Sequence, residues 1–231
     1  MWSPSPEEMT AIRLSIRVAS VATLASLPVA LAVAMLLARG RFPGKSLLNG
    51  IVHLPLVLPP VVTGYVLLLT FGRMGPVGHF LQANFGIVLA FRWTGAALAA
   101  AVMGFPFQVR AMRLSVEAVD RKLEQAAATL GASAPIIFTT VTLPLILPGI
   151  FAGAVLAFAK SLGEFGATIT FVSNIPGETQ TIPSAIYSLI QTPGAEGEVL
   201  RLALVSVAIS FVALMLSEML ARQTGRRWAS V

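Results

Sequence analysis

The chain has 231 residues, 56% hydrophobic and only 11% charged, with a mean hydropathy of +0.83. A water-bounded domain carries about 25% charged residues, so the apolar excess is built to face lipid. The lack of cysteine excludes disulfides, cysteine-based zinc sites and cysteine nucleophiles; the net charge of +6 gathers in short segments between apolar runs, a membrane-topology pattern that argues against a nucleic-acid surface.

A helix crossing the hydrocarbon core needs about 20 mostly apolar residues. Five segments meet that need: 18–37, 51–71, 94–109 (with a start as early as 87), 145–165 and 200–220. Glu7 and Glu8 precede the first, whose apolar run is too long for a signal peptide, so it is expected to stay as an uncleaved helix behind a brief outer tail of Trp2, Ser3 and Pro4. The second holds Pro55, Pro59, Pro60 and Gly64, a density that loosens helical hydrogen bonding. His53 and His79 lie too far apart to suggest a metal motif, and no metal site is expected.

The segment 110–144 between the third and fourth spans is the longest polar stretch. It predicts two short helices broken at Gly131: 119–130, rich in good helix formers and closed by a glycine cap, and 134–142, with Pro135 at its first position. Pro144 then marks the turn into the membrane. In the fourth span Lys160 and Glu164 stand four apart and share a helix face where they can pair; ionisable residues at such depth point to function. The stretch 182–190 is apolar but too short to span, and is expected as a re-entrant or interfacial helix on the outer side.

Charge sets the orientation. Placing the first loop, the 110–144 loop and the C-terminus on one side collects Arg39, Arg41, Lys45, Arg110, Arg113, Arg121, Lys122, Arg222, Arg226 and Arg227, ten of the sixteen basic residues. That side is expected to be cytoplasmic, with the N-terminus outside and the C-terminus inside. No linker, composition shift or repeat divides the chain, so a single transmembrane domain over 1–231 is expected.

The spacing Gln125-Ala126-Ala127, Gly131, then Val141-Thr142-Leu143-Pro144 resembles the EAA loop of binding-protein-dependent ABC importer permeases: Glu-Ala-Ala, three residues, Gly, nine residues, Ile-x-Leu-Pro. Gln125 departs from the usual glutamate, and Glu124 supplies an acid one position early. The resemblance implies an all-α membrane protein of the type I ABC importer permease fold. It also implies an ATPase-coupling loop built on Glu124, Gln125, Ala126, Ala127, Leu130, Gly131, Val141, Leu143 and Pro144. Small residues would let two surfaces approach there, with Leu130 as an apolar anchor. The rival reading of the loop is an ordinary helical hairpin without a partner.

Two further segments, 53–69 and 161–194, resemble the molybdate-importer permeases, and the Gly163-Glu164-Phe165-Gly166 element is similar to one in the related sulfate permeases. The implied role is a permease carrying molybdate, with tungstate as an alternative cargo of the same machinery, into the cytoplasm through a bacterial or archaeal inner membrane. The implied partners are two copies of an ATP-binding subunit, an extracytoplasmic molybdate-binding protein, a second copy of this chain and the bilayer. The chain has no phosphate-cradling Gly-x-x-x-x-Gly-Lys-Ser/Thr motif, so ATP and magnesium are expected on the ATPase, and no cofactor or catalytic residue on this chain.

For the path, broken helices at membrane depth are tolerated where they face protein or a water-filled cavity. Pro59, Pro60, Thr63 and Gly64, with Thr168, Thr170, Ser173 and Asn174, are candidates for lining it; a packing kink and an ordinary helix end are the bland alternatives. Glu164, with Lys160, is expected to have a structural or gating role, since a dianion should not rest beside a bare glutamate. Rival functions are a sulfate or thiosulfate permease, a secondary transporter, for which five spans offer no matched halves, and an intramembrane enzyme, for which the sole Asp120 and lone His53 supply no constellation.

Overall fold

The computed structural model describes residues 4–228, with the backbone alone for 217, 218 and 220–228. The expected tail at Trp2 and Ser3, and the side chains of Arg222, Arg226 and Arg227, lie outside the described residues. Among those described there are eleven α-helices and no strand.

Helix α1, Pro6–Arg39, begins well before the predicted 18. Its start is set by a capping box: the Glu8 amide donates to Ser5 Oγ at 3.2 Å and the Ser5 amide to Glu8 Oε2 at 2.5 Å. Hydropathy missed this part because Glu7, Glu8, Arg13 and Arg17 interrupt the apolar run without interrupting the helix.

The second predicted span is not one helix. Helix α2, Lys45–Val57, and α3, Pro60–Phe71, are bent by 116° at Leu58 and Pro59. Consecutive prolines remove two amide donors, and each forces its predecessor into extended backbone: Leu58 has φ −71°, ψ 142° and Pro59 φ −55°, ψ 134°. A short helix without a counterpart in the sequence reading follows, α4 (Pro76–Phe85), closed by Gly86 at φ +66°.

Helix α5, Trp93–Ala118, carries the third span nine residues past its predicted end, so 110–118 belongs to α5 and not to the polar loop. The loop proper holds α6 (Arg121–Thr129). The second loop helix is not separate either: α7 (Ala134–Ile137) passes through a π turn, Phe138–Thr142, into α8, Leu143–Leu162. Pro144 would drive its ring against the Thr140 carbonyl in a regular helix, and the widened turn relieves that clash, so the helix enters the bundle unbroken. It stops at Leu162, three residues before the predicted end, and α9 (Gly166–Val172) begins after a short break. Helix α10, Ile182–Ile190, matches the predicted short element, and α11 spans Glu196–Trp228.

Among the described residues four helical segments are long and apolar enough to cross a membrane, and the bent α2–α3 pair makes a fifth crossing if it is one span. Helix α5 is central and packs most heavily against α1 and α8. One core joins Leu14 and Val18 of α1, Leu67 of α3, Ala96 to Met103 of α5 and Phe171 of α9. A second, toward α6, joins Ala34 and Leu37 of α1, Val52 of α2, Met112 and Val116 of α5 and Ile146 of α8. The alanine-rich faces let helices approach where lipid offers no hydrophobic drive. Between the cores Gln108, fully buried, donates to the Thr23 carbonyl at 3.0 Å and accepts from Ser26 at 2.9 Å.

Candidate functional site: a surface helix and a broken-helix junction

Two places carry the residues that the sequence singles out, at opposite ends of the bundle. The first is α6. Asp120 caps it, accepting from the Lys122 amide at 2.9 Å. At its other end Gly131, at φ +85°, lets the Ala132 amide reach back to the Ala127 carbonyl at 3.1 Å. No residue of α6 is buried. Gln125 and Ala126 are exposed, Ala127 is half-buried, and Leu130 is 89% exposed. An apolar side chain is thus presented to the surface beside alanines.

Glu124 faces the other way. Arg39, at the end of α1, donates to its carboxylate at 2.6 Å, and Thr142, in the π turn, donates to Oε1 as well. Partial burial pushes this carboxyl up, but the hydrogen bonds from Thr142 and Arg39, with the charges of Arg39 and Arg121, outweigh it and hold its pKa below the ordinary value. Val141, Leu143 and Pro144 are half-buried where the π turn meets α8. The surface helix is therefore tied to two long helices through one side chain.

The second place is where α3 meets α9. A Cβ on Gly64 would stand 2.5 Å from the Ala167 carbonyl oxygen and 2.9 Å from Thr170 Cβ, and one on Gly166 would stand 2.7 Å from Pro60 Cβ. The two short helices thus touch backbone to backbone, which only glycine permits. Glu164, 3% exposed, ion-pairs with half-exposed Lys160 one turn earlier in the chain and accepts from the Ala167 amide at 3.0 Å. The carboxylate thereby links the end of α8 to the start of α9.

The structure brings Pro60, Gly64, Glu164 and Thr170 together. Thr63 and Thr168 are buried on α3 and α9, and Thr63 Oγ1 has no hydrogen-bond partner. Pro59 is exposed at the bend. Ser173, at φ +64°, ends α9 exposed, and Asn174 is tied to α10 through Ser188 Oγ at 2.7 Å. Sequence reasoning missed Arg39, Thr142 and Gln108. Gln108 carried a signal, as a lone amide in an apolar span; Arg39 and Thr142 carried none, because their partner is distant in the chain.

The family described as "Binding-protein-dependent transport system inner membrane component" matches residues 26–226. This chain belongs to that family. The inner membrane component is 60% identical over 220 residues, 95% of this chain and 96% of its relative, to the molybdenum transport system permease protein ModB of Escherichia coli strain K12. A sulfate transport system permease protein, CysW of Synechococcus elongatus, is 38% identical, covering 94% of this chain and 75% of CysW. A bacterial ABC transporter that imports alginate has the same fold, with a TM-score of 0.73 at 17% identity over 95% of this chain and 80% of that one. The bundle is thus the type I ABC importer permease fold.

Proposed function

We propose that this chain is the permease subunit of an ATP-driven importer and forms the path by which molybdate crosses from the outside to the cytoplasm. The observation that carries the proposal is the 60% identity to a molybdenum transport permease over 95% of this chain. The lower identity of the sulfate permease, 38%, makes sulfate the weaker alternative. The whole chain serves as one transmembrane domain, and it does no covalent chemistry: ATP and magnesium are handled by two copies of a separate ATPase.

In this reading the α6 end is cytoplasmic, as the clustered arginines and lysines favour, and the α9–α10 end, with the start of α1, is outside. Exposed Leu130, beside Ala126, Ala127 and Gly131, docks on the ATPase. Closure of the ATPase pair pulls α6, and the Glu124 ties to Arg39 and Thr142 pass that displacement to α1 and α8. The permease responds by a shift between two packings, each stabilised by different contacts.

The α3–α9 junction is the gate. Its two short helices meet through glycine contacts at Gly64 and Gly166, where a small relative shift of their backbones changes the fit. The Lys160–Glu164 pair keeps the charge beside the gate balanced and leaves no bare carboxylate to repel a dianion. A second copy of this chain completes the path, and an extracytoplasmic molybdate-binding protein delivers the ion at the outer end.

The test is uptake into proteoliposomes holding this chain and its ATPase, with the binding protein and labelled molybdate outside. ATP-dependent uptake that resists excess sulfate and yields to tungstate is expected. Uptake blocked by sulfate moves the substrate to the sulfate branch, and uptake driven by an ion gradient without ATP overturns the proposal.

A further inference from the structure

Helix α5 has one face that no neighbouring helix covers at its α6 end. Val109, Met112 and Val116 are buried in the core with α1, α2 and α8. Ala111 and Ser115 abut Gly149 of α8. Arg110, Leu114 and Glu117 remain exposed. Beside them α2 places Asn49 and His53, and together with Arg113 these residues line an open cavity of about 270 Å³.

The charges in this cavity are unequal in what they have left to give. Arg113 is paired in charge: its Nε lies 2.8 Å from Glu117 Oε1, and its Nη1 donates to Asn49 Oδ1 at 3.0 Å. His53 Nδ1 meets the Asn49 carbonyl at 2.8 Å; since a carbonyl only accepts, Nδ1 carries the proton, and Nε2 of the neutral ring is an acceptor that offers an anion no donor. Arg110 has no ion-pair partner among the described residues. Among the described residues the cavity therefore offers one guanidinium without an ion-pair partner, beside a carboxylate already paired with Arg113.

We infer that this cavity is a way station for a free tetrahedral oxyanion on the α6 side of the gate, with Arg110 as its principal contact. The inference rests on the importer reading given above. Helix α2, which carries His53, ends at Val57, two residues before Pro59 in the bend, so the same helix borders this cavity and leads into the broken segment. A planar guanidinium suits an oxyanion through paired N–H donors. A single guanidinium contact keeps the attraction modest, as a transit site requires, since an ion held too tightly never leaves.

The experiment is equilibrium dialysis of labelled molybdate against the purified permease–ATPase complex, without nucleotide or binding protein, in neutral phosphatidylcholine nanodiscs. Wild type is expected to show weak saturable binding at this site. Arg110→Gln loses about tenfold in affinity, the scale of one charge-assisted hydrogen bond, while Arg110→Lys retains most of it and both variants still co-purify with the ATPase. Equal binding by wild type and Arg110→Gln overturns the inference. So does loss of co-purifying phosphatidylglycerol in Arg110→Gln with molybdate binding unchanged, which assigns the cavity to a lipid headgroup. Failure of wild-type uptake in the proteoliposome assay sinks the importer reading itself; intact uptake with equal binding sinks this inference alone.

Discussion

Arg39 and Glu124 are separated by 85 residues and meet at 2.6 Å. One closes a membrane helix and the other sits on the surface helix at the same end of the bundle. The same carboxylate receives the Thr142 hydroxyl, so a single side chain of α6 holds α1 and the root of α8. Departure from the family's usual glutamate at Gln125 matters less in that light. The acid one position earlier points inward, toward the permease, and leaves Gln125 on the exposed side of α6.

Glu124→Gln is expected to loosen this junction. Its loss costs about 1 kcal/mol, a charged hydrogen bond discounted for partial exposure. The functional signature is ATP hydrolysis less tightly linked to uptake, measured as molybdate imported per ATP in proteoliposomes. A ratio unchanged from wild type would remove Glu124 from the coupling path.

The junction also predicts a pH dependence. Because the carboxyl is lowered in the folded state, its contribution is complete above the ordinary carboxylate range and is lost as pH falls through the lowered value. Thermal unfolding of the detergent-solubilised permease should show wild type and Glu124→Gln separated at pH 7 and converging in acid. A gap that persists into acid argues against the ionised tie.

Gly131→Val tests the surface helix by backbone rather than by contact. A Cβ at this position meets nothing within 4 Å, but φ is +85°, which costs an L-residue about 1–2 kcal/mol. Membrane insertion is expected to be normal and ATPase co-purification lost. Normal co-purification would show that α6 docks without its cap.

Gly64→Val forces a side chain into the Ala167 backbone. Overpacking of this kind costs about 1–3 kcal/mol, and it should wedge α3 from α9. Expected is a permease that assembles with its ATPase yet leaks molybdate without ATP. A tight vesicle with normal uptake would take the gate elsewhere.

Glu164→Gln keeps an acceptor for the Ala167 amide and removes the charge opposite Lys160. Uptake rate should change more than assembly. Glu164→Ala removes the hydrogen bond from the Ala167 amide as well, at about 1 kcal/mol, and should lower folding yield. If Gln and Ala lower yield equally and neither alters the rate per folded complex, the pair is structural only.

Much of this was legible from residues. The Gly131 break and the bounds of α10 followed from local chemistry, the first from a glycine after a run of helix formers, the second from an apolar run with a proline at its start. The Lys160–Glu164 pair was expected from a spacing of four on one helix, and it forms although α8 ends at Leu162 and Glu164 lies in the break before α9. Errors arose where helices continue through polar or proline-bearing sequence. Arg110 to Ala118 stays helical because its carbonyls and amides bond within the helix whether or not the side chains are apolar, and Pro144 is absorbed by a π turn.

The sequence by itself determined the membrane class, the number of apolar runs, the surface helix and the likeness to importer permeases, because those depend on local composition and spacing. Only the tertiary structure decided that the second run bends by 116°, that α3 and α9 meet through Gly64 and Gly166, and that Glu124 belongs to Arg39. Each of these pairs groups far apart in the chain, and the energy that selects them comes from close packing and charge neutralisation between helices, which no local pattern encodes.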